Sequence, residues 1–409
     1  MKRHFYIGIF LLVCLGVNGQ TLEDYWQTAA EQNPMLKASF NQYLSALEKV
    51  DQVNVLPDPT VSFGYFISPV ETRVGAQRFK VSVSQMFPWR GTLATRESLA
   101  VKTAEARFAE FEEARNKLFL NLTETWLQLS ELDQEIEVKK ENLRILKTYE
   151  PIAKTKYESN LTSLADLIRI QIRIEEATTN LEILELQRKP LVADFNTYLN
   201  QPVDSPVNLS AGYFETTQSY SLDSALTSNP KLAANSKAIE GAESQIRLAE
   251  LQRKPNIGVG LDYAFVSERT DMAVTDNGKD ILMPMVSLSL PIFGKKNRAV
   301  KKEAELYKES LEYKSEGIRN EIKNQWTKTD YLENSAGKEL DLYEKEIRNT
   351  QSLLNVLTSE YSNNSTNFEE LLLIQQQLLQ LRIAEIKAQT KQYRAMIQKR
   401  YLTGNFTEF

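Results

Sequence analysis

The stretch "NIGVGLDYAFV", residues 256–266, decides the fold. Ile257, Val259, Leu261, Tyr263 and Phe265 alternate with Asn256, Gly258, Gly260, Asp262 and Ala264, the period of a strand with one apolar and one polar face. Long charged segments with helical patterning lie on both sides of it. Three more stretches have the same character: "TVSFGYFI" at 60–67, "FKVSVSQMF" at 79–87 and "LMPMVSLSL" at 282–290. Their apolar rows are Val61, Phe63, Tyr65 and Ile67; Phe79, Val81, Val83 and Phe87; and Leu282, Val286, Leu288 and Leu290. The opposite rows carry Ser, Gly, Asp and Lys, too polar for a dry interior. Lipid on one side and water on the other satisfies both rows, and the lengths suit tilted strands crossing a bilayer. The polar stretches 68–78 and 267–280 between the strands read as external loops, with Gly75 and Asn277-Gly278 as turn residues. Tyr65, Phe87, Trp89 and Tyr263 are candidates for an interfacial aromatic girdle.

Four strands cannot close a barrel, because about eight already give an interior that side chains fill. Sharing between chains is required. Two chains give eight strands and no useful lumen, whereas three give twelve, so the geometry favours a homotrimer with its apolar rows in contact with lipid.

The chain is one unit written twice. "TLEDYWQTAAEQNPML" at 21–36 returns as "SLDSALTSNPKL" at 221–232, with Asn33-Pro34 echoed by Asn229-Pro230. "FPWRG" at 87–91 matches "LPIFG" at 290–294, "ETWLQL" at 124–129 matches "NQWTKT" at 324–329, and "YESNLTSLADLI" at 157–168 matches "YSNNSTNFEELL" at 361–372. The expected division is a signal peptide at 1–19, a first repeat at 20–202, a linker at 203–220, a second repeat at 221–404 and a tail at 405–409. Each repeat holds a short helix, a medium helix, two strands, a very long helix, a turn and a second medium helix. The long helices are expected near 92–156 and 295–359, and the medium pairs near 34–56 with 162–199 and 230–254 with 366–402. Two medium helices end to end match one long helix, as a cylinder of constant length requires.

Leu118, Leu122, Leu129, Leu132, Ile136, Leu143 and Leu146 fall on one heptad seam, interrupted at Thr125 and Lys139. In the last helix Leu372, Leu379, Ile386 and Tyr393 form one row, and Leu371 with Leu378 starts a second. Two seams imply two neighbours. The fold class is therefore dominated by α-helix: duplicated long hairpins form a trimeric tunnel, continued by a shared twelve-stranded barrel with four strands per chain.

The first nineteen residues read as a secretory signal, with basic Lys2 and Arg3 and an apolar run before Gly19. Cys14 follows Val13, a poor context for lipidation. Cys14 and His4 are the only Cys and His and both lie in that segment. This excludes disulfides, Cys nucleophiles, Ser/His triads and the usual zinc and copper sites from the mature chain. No phosphate loop or dinucleotide fingerprint is present, so neither catalysis nor a cofactor is expected. Without Lys2 and Arg3 the 49 basic residues become 47 against 54 acidic, a balance of −7 that disfavours nucleic acid. Beyond the signal no apolar run is long enough for a membrane helix.

Duplication, paired strands, two very long helices and the matched turns together resemble the TolC-like outer membrane efflux protein family. The resemblance covers residues 21 to about 404 and implies a passive channel of a Gram-negative tripartite efflux system. Such a channel has its barrel in the outer membrane and its helices in the periplasm. It takes energy from a periplasmic adaptor and an inner-membrane pump. It also implies that Asn160, Leu161, Thr162 and Ser163, with Asn364, Ser365 and Thr366, form an adaptor-docking tip. Family members usually carry Gly where Asn160 and Asn364 stand, a mild departure because Asn tolerates the left-handed conformation. Asp166, Glu369 and Glu370 are the implied acids of a pore gate, with Leu373 where a further family acid usually lies. Family-independent chemistry offers a solvated helix start for these acids and capping turns for the tip. Alternative functions are a periplasmic coiled-coil adaptor or scaffold and a type I secretion conduit. The exported substrate and the pump partner are not written in the pattern. Met283 and Met285 raise the option of soft metals, although methionine also fills gaps in strands.

Overall fold

The computed structural model describes residues 21–209, 220–362 and 368–406. The signal segment and the second tip residues Asn364, Ser365 and Thr366 lie outside the described residues. The first repeat runs α1 (Leu22–Gln32), α2 (Pro34–Val53), β1 (Thr60–Thr72), β2 (Gly75–Phe87), α3 (Thr92–Glu158) and α4 (Leu164–Leu199). The second runs α5 (Leu222–Ser228), α6 (Pro230–Leu251), β3 (Asn256–Ser267), β4 (Ile281–Ser289), α7 (Gly294–Ser362) and α8 (Phe368–Leu402). α3 and α7 have 67 and 69 residues, each about 100 Å of helix.

The two Asn-Pro motifs explain themselves in the structure. Asn33 caps α2 by accepting from Leu36 N at 3.0 Å, and Pro34 occupies the first helical position, where no N–H is needed. The same Asn33 donates through Nδ2 to Tyr198 O at 3.0 Å, at the far end of α4. Asn229 repeats the device, capping α6 and donating to Leu402 O at 2.9 Å, at the end of α8. Each motif thus starts one medium helix and fastens the end of the other, so the two stack end to end beside the long helix.

α3 packs against α2 and α6 along one half and against α4 and α8 along the other; α7 packs against α6 and then α8. The heptad residues Leu118, Leu122, Leu129, Leu132, Ile136, Leu143 and Leu146 are all buried, and so are both rows of α8 at Leu371, Leu372, Leu378 and Ile386. α8 sits between α3 and α7, the two neighbours its two seams require. Thr125 turns its hydroxyl to Asn121 O at 3.1 Å, and Lys139 pairs with Glu135 at 2.9 Å, so both interruptions are satisfied locally.

The largest core lies where the repeats meet. Trp26, Phe119, Phe195 and Phe406 are almost fully buried there, and Trp26 Nε1 donates to Thr123 Oγ1 at 2.9 Å. Phe406 belongs to the segment set aside as a tail, yet its ring meets Trp26 edge-on at 5.6 Å with the Arg400 guanidinium over both rings. The expected linker is also partly core. Val207 is buried, and Asn208 exchanges backbone bonds with the Tyr25 hydroxyl at 3.3 Å in each direction.

The strands form one antiparallel sheet in the order β1-β2-β3-β4. The expected loop at 68–78 is mostly strand. β1 continues to Thr72 and β2 starts at Gly75, leaving a two-residue turn, with register shifts between Tyr65 and Val70 and between Gln77 and Phe79. Those shifts absorb the break in alternation that disguises the strands in sequence. Gly75 is obligatory: its φ is +129°, and a Cβ would lie 1.8 Å from Ser267 O. The β3–β4 loop remains a loop. It is stitched to the first hairpin by Gly278 N to Val74 O at 2.7 Å and Arg269 to Thr72 O at 3.3 Å.

Candidate functional site: a two-faced sheet and a hairpin tip

Register aligns the faces. Val61, Val83, Leu261 and Pro284 stand in one row across the sheet, and Phe63, Val81, Tyr263 and Leu282 in the next. Phe63, Tyr65, Ile67, Leu261, Leu282, Val286 and Leu288 are all exposed, Ile67 at 92% and Val286 at 77%. Among the described residues nothing covers these side chains, and a row of this size fits a hydrocarbon surround. The other face alternates Ser62, Ser82, Asp262 and Met283 with Gly64, Lys80 and Ala264. Lys80 pairs there with Asp262 at 2.5 Å. Among the described residues no helix is long and apolar enough to cross a membrane.

At the opposite end of the molecule, the α3–α4 turn is built by its own residues. Asn160 adopts φ 57° and Leu161 N reaches back to Lys156 O at 2.8 Å, closing α3 with a left-handed cap. Ser163 starts α4 in a capping box with Asp166. Thr162 Oγ1 donates to Asp166 Oδ2 at 2.6 Å, and Arg169 pairs with Asp166 at 2.9 Å. Burial alone would raise the Asp166 pKa, but the Thr162 and Ser163 hydroxyls, the Ser163 N–H and Arg169 together hold it below the ordinary value. Three of the four expected tip residues therefore have structural work, while the Leu161 side chain projects with 58% exposure.

The gate residues are brought together in part. Arg169 also reaches Glu369 of α8 at 3.6 Å, so Asp166 and Glu369 share one cation across the two hairpins. Glu370 and Leu373 lie a turn apart on α8, both exposed, Leu373 at 65%. Sequence reasoning missed Arg169, although its spacing of three from Asp166 was visible. It also missed Lys156, which lies over the Tyr361 ring at 4.1 Å and donates to the Tyr361 carbonyl. Tyr361 packs in turn on Phe368 with ring centroids 5.0 Å apart and planes tilted by 34°, so an aromatic knot ties the two hairpins just behind the tip.

The described residues thus combine an open-edged amphipathic sheet with two long helical hairpins, not one. Residues 221–405, the second repeat, match the family model described as outer membrane efflux protein. Solved structures share the whole architecture. The outer membrane protein VceC from Vibrio cholerae superimposes with a TM-score of 0.77 at 15% identity, over 95% of this chain and 97% of that one. The Campylobacter jejuni CmeC outer membrane channel gives 0.77 at 15% identity, over 95% and 87%. The open state of the Neisseria gonorrhoeae MtrE outer membrane channel gives 0.75 at 15% identity, over 95% and 91%. No curated protein sequence matches the chain.

Proposed function

We propose that the protein is the passive outer membrane conduit of a tripartite efflux system. It acts as a homotrimer that carries small molecules or metal ions from a periplasmic adaptor and inner-membrane pump to the exterior. The observation that carries this reading is the pair of open edges. The sheet ends in β1 and β4, the helical layer beside it in α2 and α7, and the layer toward the tip in α4 and α7. At every level the first repeat supplies one edge and the second repeat the other. Such edges differ, so copies join head to tail and close by rotation. Alternating strand direction is preserved when β4 meets β1 of the next copy. The free helix edges carry exposed apolar residues: Phe40, Leu44 and Leu47 on α2, Leu164, Ile168, Ile172 and Leu186 on α4, and Tyr331, Leu342, Leu353 and Val356 on α7.

We assign adaptor contact to the tip, led by Leu161 and its counterpart turn. We assign the pore acid to Glu370, which lies exposed on α8 a turn from Leu373. In planar bilayers the purified protein should conduct and prefer cations, and Glu370→Gln should shift its reversal potential toward zero. Absence of conductance would overturn the channel reading; an unchanged reversal potential would remove Glu370 from the pore.

A further inference from the structure

We propose that the end of the sheet that joins the helices carries a basic, apolar-edged belt that binds anionic phospholipid headgroups of the leaflet facing the periplasm. The inference rests on the reading of the sheet as part of a membrane barrel. All four junctions between strand and helix lie at this one end. Thr60 opens β1 opposite Ser84, Phe87 at the end of β2 pairs with Ile257, and Asn256 at the start of β3 pairs with Ser289 at the end of β4. Trp89 N donates to Asn256 Oδ1 at 3.4 Å, which holds the β2 junction against the β3 junction.

Positive charge collects at this end. Residues 290–302, "LPIFGKKNRAVKK", hold five cations and no acid. Arg90, Arg253 and Lys254 are exposed at the neighbouring junctions, and Asp58 is the one acid in the connecting segments 54–59, 88–91, 252–255 and 290–293. The opposite end of the sheet is different. Residues 68–78 and 267–280 hold five acids against four bases, so a phosphorylated glycolipid outside the cell would meet no such excess.

Neither helix electrostatics nor ion pairing accounts for these cations. The first turn of α7 has no acid, and Lys295 and Lys296 stand there although a helix N-terminus repels positive charge. α1, α4, α5 and α8 begin with acids instead. Among the described residues Lys295, Lys296 and Arg298 are exposed and form no ion pair, whereas Lys301 is engaged by Glu250 at 2.6 Å. Apolar side chains lie beside them. Ile292 and Phe293 are 76% and 72% exposed just past the end of β4, and Phe87 and Trp89 are exposed at the end of β2. Exposed rings and aliphatic chains next to unpaired Lys and Arg suit a membrane interface, where the former enter the acyl region and the latter reach headgroup phosphates. A second copy of the chain fits less well, because it would cover only the edge junctions, while Arg90, Arg253 and Lys254 belong to the inner strands β2 and β3.

The test uses Trp89 as its reporter. The tryptophans are at 26, 89, 126 and 326, and only Trp89 lies at the sheet. It stands about two strand spacings, roughly 10 Å, from the β4–α7 junction. The full mature protein is reconstituted in vesicles of equal phosphatidylglycerol and phosphatidylcholine, with one or the other brominated, so that quenching reads the lipid beside Trp89. Phosphatidylglycerol should be enriched there about threefold, less at high salt, and K295Q/K296Q/R298Q should lower the enrichment to about half or less. R253Q/K254Q should also lower it and serves if the triple variant does not insert. Enrichment that is absent in the wild type, or unchanged in both variants, overturns the belt. So does a triple variant that separates into single chains in native mass spectrometry while R253Q/K254Q keeps the wild-type preference, since the cations then serve contact between copies. Bilayer conductance separates the two claims: wild-type channels that conduct without a lipid preference refute only the belt, and protein that never enters the vesicles refutes the barrel.

Discussion

Asn229→Ala should destabilise the protein by about 2–4 kcal/mol. Two bonds are lost. Asn229 Oδ1 accepts from Lys231 N at 3.0 Å, and removing such a helix cap costs about 1 kcal/mol. Nδ2 donates to Leu402 O at 2.9 Å between residues that are 3% and 1% exposed, and an orphaned buried carbonyl costs about 1–3 kcal/mol. Asn229→Asp separates the terms. The carboxylate keeps an oxygen for the cap and is favoured by the N-terminus of α6. However, it loses the donor and faces the carbonyl end of α8. It should fall between Asn229→Ala and wild type at neutral pH, and recover partly in acid, where the protonated carboxyl regains an O–H. Denaturant titration followed by far-ultraviolet circular dichroism in detergent reads all three. An Asn229→Ala variant within about 0.5 kcal/mol of wild type would refute the reasoning, and an Asn229→Asp variant equal to wild type would leave the Leu402 bond without weight.

Glu113 is pushed above the ordinary carboxyl value by burial, against the opposing Tyr401 hydroxyl at 2.6 Å and the Lys231 and Lys117 charges. A raised folded pKa means that its stability contribution is full below about pH 4.3, the unfolded value, and is lost as pH rises through the folded one. Glu113→Gln should therefore flatten this part of the stability profile and be the more stable protein at neutral pH, as checked by melting across pH. Leu261→Arg places a charge in the apolar row and should cost about 2–4 kcal/mol, abolishing membrane assembly in a heat-modifiability assay, whereas Ser62→Lys on the polar face should assemble. Asp166→Ala removes the capping box, which is worth about 1 kcal/mol. Hydrogen exchange should accelerate at the α3–α4 turn without change in oligomeric state.

Much of this fold was legible because its two periods differ so strongly. A heptad row such as Leu118 to Leu146 and an alternating row such as Ile257 to Phe265 each repeat often enough to be read, and duplication supplied every element twice. The β1–β2 hairpin was harder: its register shifts break alternation, and Glu71, Thr72 and Arg73 have loop composition although β1 extends to Thr72. Phe406 could not be found by pattern at all. A single aromatic in a polar segment has no period, and only the packing of Trp26 and Phe119 around it shows its role. At the tip, residue types pointed to caps and acids, but that Arg169 serves both Asp166 and Glu369 depends on how the two hairpins lie against each other. No sequence spacing within one hairpin encodes that.

The most direct test of a shared barrel is native mass spectrometry of the mature protein extracted from membranes in detergent. The proposed trimer predicts three chains per particle, released only by detergent, because four strands with two unlike open edges close only by sharing between copies. A monomer that stays in solution without detergent, or a stable particle of two chains, would contradict it.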